Sequence, residues 1–371
     1  MSRLASTTHK VFSNLFKITP EPFGLDISDT SFKIAKLSKK KASLLLQHFG
    51  DIDIDAGLLE DGVITDEEKL ANVIKNGVGS LTTGDIATRY ASCSLPEQKT
   101  YLRIVQLPKM EKRDMGDAIS WEIEANVPIS LSEAYYDWQI IHPVNEDKTR
   151  AFDHYDILVS VAPKDLVDSY SRMLKKAGLV PFSFEPESVA LVRSIIKGGF
   201  SEKPLLVVDL GQARTSFIVY AGSAIRFTSS AKLSGDGISE IIMRSMGVDK
   251  SEAERLKMGV GLDRDMDPRV FEAIIPALTD LKEQIQRYMD FYAEHSAHTH
   301  NGEPRVSRVL VSGGGALLKG IEKYLALSLN IPVEIANPWV NILGDDVKTI
   351  PELPYEESIR YATVLGLSLN R

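Results

Sequence analysis

A single cysteine, Cys93, stands in 371 residues. One thiol cannot form an internal disulfide, so stability must come from packing, as suits a reducing compartment. No apolar run approaches the ~20 residues that span a bilayer. The first residues also lack the apolar stretch and cleavage site of a secretory signal. Positive charge is in deficit: 43 Lys and Arg against 51 Asp and Glu leave a net charge of −8. A broad nucleic-acid face is not expected on such a chain. The P-loop run G-x-x-x-x-G-K-[ST] is absent. The glycine triplet near the C-terminus has Leu318 where a dinucleotide fingerprint needs glycine.

What is present is ordinary globular composition, long enough for two or more domains. In "RVLVSGGGALLKGIEKYLALSL" a buried strand runs into Gly313, Gly314 and Gly315. A helix stripe is expected to follow, with Leu317, Ile321, Leu325 and Leu329 on one face. A strand, a glycine turn and a helix N-terminus together make a seat for an anion or a flat ring. Two β-hairpin segments repeat one another. "LDISDTSFKI" and "VDLGQARTSFIV" each place an aspartate near the end of an apolar strand and Thr-Ser-Phe at the start of the next. Asp26 matches Asp209, and Thr30-Ser31-Phe32 matches Thr215-Ser216-Phe217. An aspartate at such a turn suits the water shell of Mg²⁺, and the turn's N–H and hydroxyl groups suit phosphate oxygens. Two hairpins can clamp a triphosphate from both sides.

The organisation expected from these patterns has five parts. Residues 1–21 form a short, amphipathic N-terminal segment with Arg3, Lys10 and Lys17 opposite Leu4, Val11, Phe12, Leu15 and Phe16. Residues 22–91 with 179–203 make the first half and 92–178 are inserted into it. Residues 204–234 with 305–371 make the second half, and 235–304 a helical part beside the nucleotide. Trp121, Tyr135, Tyr136 and Trp138 in the insertion are read as core. His295, His298 and His300, flanked by small polar residues, are read as a solvated loop and not a metal site.

The paired hairpins and glycine turn fit actin-like, Hsp70-like and sugar-kinase-like ATPases. The resemblance becomes specific in "FGLDISDTSFKIAKL", "LLVVDLGQARTSFIVY", "SWEIEANVPISLSEAYYDWQII", "GDGISEIIMRSMGVDKSEAERLK" and "VLVSGGGALLKGIEKYLALSLNIPVEIANPW". From about Phe23 to the C-terminus, these resemble the PilM family of type IV pilus assembly proteins, related to the cell-division protein FtsA. The resemblance implies an α/β actin-like ATPase fold, with two halves, a nucleotide cleft and an FtsA-like inserted subdomain. It implies ATP and Mg²⁺ as cofactors, with Asp26 and Asp209 on the metal side through water. It puts Ser28, Thr30, Ser31 and Lys33 on the first phosphate hairpin, where many relatives have glycine in place of Ser28. Gly211, Arg214 and Thr215 fall on the second. Glu254 and Lys257 resemble the ribose and adenine contacts, and Gly313, Gly314 and Gly315 the adenosine-side loop.

As partners it implies the N-terminal tail of a PilN-like inner-membrane protein, pilus motor ATPases and self-association. The protein would then sit in the cytoplasm, at the inner face of the cytoplasmic membrane. Glu185, before Pro186, is the candidate to orient an attacking water. With no other acceptor-side polar cluster, the protein is expected to be at most a slow ATPase acting as a scaffold. The alternatives are an FtsA-like filament-forming ATPase and a sugar-kinase-type phosphotransferase on the same fold.

Overall fold

The computed structural model describes residues 21–40, 43–141, 153–295, 305–344 and 350–370. The amphipathic segment expected at 1–21 lies outside them except for Glu21, as do His298 and His300. In chain order the first half opens with β1 (Phe23–Ile27), β2 (Ser31–Lys40) and β3 (Ser43–Asp53). A short ribbon follows, β4 (Leu59–Glu60) and β5 (Val63–Ile64), then helix α1 (Glu67–Gly79) and β6 (Tyr90–Leu95). The inserted unit holds β7 (Tyr101–Pro108), α2 (Lys112–Asn126), β8 (Ala134–Ile141) and β9 (His154–Pro163). The chain returns through α3 (Lys164–Lys176), β10 (Val180–Pro186) and α4 (Glu187–Ile195). The second half begins with β11 (Ser201–Leu210), β12 (Thr215–Gly222) and β13 (Ala224–Ala231). Helices α5 (Gly235–Met246), α6 (Lys250–Gly259) and α7 (Pro268–His295) come next. Then follow β14 (Arg308–Ser312), α8 (Ile321–Leu329), β15 (Val333–Ile335), α9 (Tyr355–Ser358) and α10 (Ala362–Leu369).

The two large sheets have one plan. The first runs β10-β6-β1-β2-β3 and the second β13-β12-β11-β14-β15. Each is an antiparallel meander of three strands extended by two parallel strands on the side of the first. The expected repeat is therefore structural, with β1 matching β11. Strand β11 is apolar on both faces because both are covered. Leu206, Val208 and Leu210 join the core under α5–α8, while Leu205 and Val207 pack toward α4 and the inserted unit.

Two expected boundaries move. Strand β6 and helix α3 belong to the first half: Cys93, Leu166, Tyr170 and Leu174 share one core with Phe23, Leu25 and Phe32. The inserted unit is thus narrower than 92–178. It consists of the β7-β9-β8 sheet and α2, with its own core of Met115, Ile119, Ile123, Val159 and others. The C-terminal helix does not stay with the second half. It packs on β1, β2 and α4. Gly24 N donates to Ser368 Oγ at 3.1 Å, and that hydroxyl donates to Ala35 O at 2.6 Å. The approach leaves room only for glycine, since a Cβ on Gly366 would fall 1.8 Å from Ala190 O.

The insertion's aromatic residues are not core. Trp121 is 72% exposed, and Tyr135, Tyr136 and Trp138 are exposed too. Aliphatic side chains already fill the space under α2, and β8 is an edge strand of its sheet, paired among the described residues with β9 alone. His295 ends α7, stacked on Phe291 at 4.2 Å with Nδ1 2.8 Å from Phe291 O.

Candidate functional site

Each meander carries its aspartate one residue before the end of its first strand, Asp26 on β1 and Asp209 on β11. Their electrostatics show that they share one space. Burial pushes Asp209 up to about 7; the charge of Asp26 adds to this and Lys33 opposes it. Asp26 is also raised by burial, against the pull of Lys33 and a 2.7 Å hydrogen bond from Ser94 Oγ. Glu187, the first residue of α4, is raised well above the usual carboxylate range by burial, then by Asp26, Glu97 and Asp209. Glu97 is raised by burial while it accepts from Ser188 N at 3.1 Å. Lys33 is the lysine in their midst, and it also stands 3.5 Å from Asp51. Such a group repels a phosphate unless a cation lies between. Among the described residues no three His, Cys, Asp or Glu side chains are grouped to hold a metal directly.

The two hairpin turns are built differently. In the first, Ser28 Oγ donates to Ser31 O at 2.8 Å and accepts from Ser31 N at 3.3 Å. Serine therefore replaces glycine without strain, but its hydroxyl is spent inside the turn. Lys33 Nζ donates to Ser31 Oγ at 3.3 Å. Thr30 Oγ1 is buried and has no hydrogen-bond partner among the described residues. In the second hairpin, Thr215 is fully buried and its hydroxyl donates to Leu233 O at 2.7 Å. Thr215 thus closes the sheet and does not face the cleft. Arg214 reaches across the cleft and pairs with Asp61 in the β4–β5 turn.

The glycine turn divides its labour. Gly313 has φ +80°, and a Cβ there would lie 2.5 Å from Leu210 O and 2.7 Å from Asp209 Oδ1. A Cβ on Gly315 would meet Leu210 Cδ2 at 2.3 Å. Both glycines let the turn close on the end of β11. Only Gly314 has space beside it, where a Cβ would make ordinary contact with Arg360 at 3.7 Å. No α-helix starts directly after the triplet: Gly314–Leu317 is a short 3₁₀ turn, and α8 begins at Ile321 after Gly320 with φ +87°. Gly235, at the start of α5, donates to Gly211 O at 2.9 Å. A Cβ on it would come within 3.3 Å of Gly211 O and 3.6 Å of Gly315 N. Three loops thus meet on a floor of bare backbone. Beside it, Lys257 Nζ is buried, 2.7 Å from Glu254 Oε1, 2.8 Å from Ser239 Oγ and 3.3 Å from Gly235 O. The Glu254–Lys257 pair pins α6 to α5, and Glu254 keeps the more open position.

Glu185 does not serve as the cleft carboxylate. Arg193 holds it in a two-pronged ion pair at 2.8 and 2.5 Å, and Asn370 Nδ2 lies 3.4 Å away. Two residues on, Glu187 is the acid that faces Asp26 and Asp209. The only signal for it in the sequence is its place at the first helical position after Pro186, where an acid is favoured by the helix dipole. Glu97, Gly235, Asp61 and Arg360 are also brought to the cleft without a motif to mark them.

These features define an actin-like protein: two halves of like topology, an aspartate-bearing hairpin in each and a glycine floor between. Residues 24–371 match the family model of the type IV pilus assembly protein PilM. The chain belongs to that family. A solved PilM–PilN type IV pilus biogenesis complex is similar at TM-score 0.77 and 25% identity, over 94% of this chain and 98% of that one. MreB5 of Spiroplasma citri bound to AMPPNP shares the fold at TM-score 0.54 and 14% identity, over 94% and 95% of the two chains. Cell division protein FtsA of Enterococcus hirae is 26% identical over 104 residues, 28% of this chain and 24% of that protein. The match thus spans about a quarter of that curated relative.

Proposed function

We propose that this chain is a nucleotide-dependent scaffold of type IV pilus assembly that binds ATP with Mg²⁺ and holds an extended peptide from a PilN-like membrane protein. The observation that carries the nucleotide reading is the facing of Asp26 and Asp209 from corresponding strands. Between them they suit a hydrated cation. Thr30, Lys33 and Arg214 would take phosphate oxygens, Gly314 and the backbone beside Gly235 the nucleoside, and Glu254 the ribose. Ser28 and Thr215 act through the shape of the turns. When bound, Mg²⁺ would offset the phosphate charge against the carboxylates, and Glu187 is placed to hold a water or a proton there.

The peptide reading rests on β8. Among the described residues it is an edge strand, paired with β9 on one side. Tyr135 on this strand donates to Asp168 of α3 at 3.2 Å, under Lys164 Nζ at 5.6 Å from the ring. Lys164 Nζ also donates to Ser132 O at 2.7 Å. An extended tail here would add main-chain hydrogen bonds to β8 and set apolar side chains between β8 and α3. Among the described residues no helix is long and apolar enough to cross a membrane. Such a tail would tether the protein to the inner face of the cytoplasmic membrane. Calorimetry with the N-terminal tail of a PilN-like protein, with and without Mg-ATP, tests both parts. Binding of each, lost for the tail in Tyr135→Ala, is expected; no heat from either ligand would overturn the reading.

A further inference from the structure

The β4–β5 turn lies across the front of the cleft, tied at several points. Asp29, in the first hairpin, accepts from Asp61 N at 3.1 Å and from Gly62 N at 2.9 Å. Tyr170, from α3, donates to Gly62 O at 3.0 Å. A Cβ on Gly62 would fall 2.3 Å from Pro96 Cγ, so the turn rests on the residue where the chain leaves β6 for the inserted unit. On the far side, the carboxylate of Asp61 pairs with Arg214 of the second hairpin. Asp61 sits at φ +50°, a conformation uncommon for a residue with a side chain. The turn is thus a strap between the two hairpins, and its acid occupies the guanidinium that faces the cleft.

We propose that Asp61 is an internal competitor for Arg214, and that a bound polyphosphate takes Arg214 from it and releases this side of the strap. The inference rests on the nucleotide reading above. Two anions contend for one guanidinium, so only a ligand carrying phosphate can make the exchange; a nucleoside cannot. Arg214 also holds the Asp61 carboxyl below its ordinary range, so Asp61 remains a charged competitor at neutral pH. Once Arg214 is gone, the strap is held by Asp29, Tyr170 and Pro96 alone, and the bonds from Asp61 N and Gly62 N to Asp29 open more often. Nucleotide state would then be felt at the root of the inserted unit, where Pro96 meets the strap. The pair is solvent-exposed on the Asp61 side, which sets the scale of the effect as modest.

Asp61→Asn tests this, since asparagine keeps the left-handed turn and loses the charge. Calorimetry with Mg-ATP and with adenosine should show ATP bound about two- to five-fold more tightly by the variant and adenosine unchanged. In the unaltered protein, Mg-ATP should speed amide hydrogen exchange at residues 61 and 62, and adenosine should not. If the unaltered protein binds ATP, but the variant binds it equally and exchange in the strap is unchanged, the strap is static and only this inference falls. If neither protein binds ATP, the nucleotide site falls and the strap's role with it.

Discussion

The two meanders share strand order but not the way their turns are closed. The first turn is tightened by a side chain, Ser28, and its partner strand β6 runs on into an inserted unit. The second is longer, rests its carbonyl at Gly211 on α5, and its partner strand β14 runs into three glycines. At corresponding places, therefore, one half has grown a surface and the other has kept bare backbone. A nucleotide fold repeated in one chain need not keep two equal sites. One copy suits a ligand's body, and the other carries an appended domain that a partner can read.

Substitutions can break this comparison, the largest effect first. Gly313→Val forces a side chain onto a positive φ and into Leu210 O, and should cost on the order of 3 kcal/mol or more. Gly314→Val, one residue on, should melt like the unaltered protein while losing Mg-ATP binding. Thermal melts of the two beside an ATP titration check the pair, and equal loss of stability would show that the glycines are not divided in role.

The next effect is electrostatic. Asp209 titrates near 7 when folded, against 3.8 for the ordinary group. The folded, ligand-free protein then holds this proton more tightly than the unfolded chain. The stability it contributes is full below the unfolded value and is lost as pH rises from ~4 through ~7. Asp209→Asn should flatten that fall and raise the melting temperature at about pH 7.5, on the order of 2–4 °C for each kcal/mol relieved. Melting curves across pH without Mg²⁺ decide it; a steeper fall in the variant would reverse the sign argued here. Ser28→Ala should cost about 0.5–1.5 kcal/mol and loosen only the first turn, seen as faster amide exchange at Ser31. Smallest of all, Trp121→Ala should change stability by less than about 0.5 kcal/mol, because the ring stands in solvent. A large loss in denaturant melts would return it to the core.

The strands of both halves were legible because apolar runs, turn residues and the Thr-Ser-Phe repeat agree at every level. Asp26, Asp209 and the glycine triplet stand out in the sequence for the same reason. The misplacements have a common physical cause. Glu185 and Glu187 flank one proline, and only the ion pair with Arg193, farther along α4, decides which acid is neutralised. Thr215 repeats Thr30 in sequence, yet the longer second turn rotates its hydroxyl onto Leu233 O. Trp121 and its neighbours were assigned to a core that smaller side chains had already filled. The strap through Asp61 carries no motif, because its meaning lies in Asp29 and Arg214, which are distant along the chain.

The crossing of α10 onto β1 has a consequence for how the protein is made. Gly24 cannot meet Ser368 until 344 residues more have been synthesised. At ordinary translation rates that is roughly 20–70 s. During this interval the first sheet has emerged from the ribosome with the face beneath Val364, Leu365 and Leu367 uncovered. The second half, from β11 to β15, is nearly continuous in sequence and can complete most of its own core first. The first half to be born is thus the last to be finished, and a ribosome that stalls before α10 is made would leave it open and prone to aggregate.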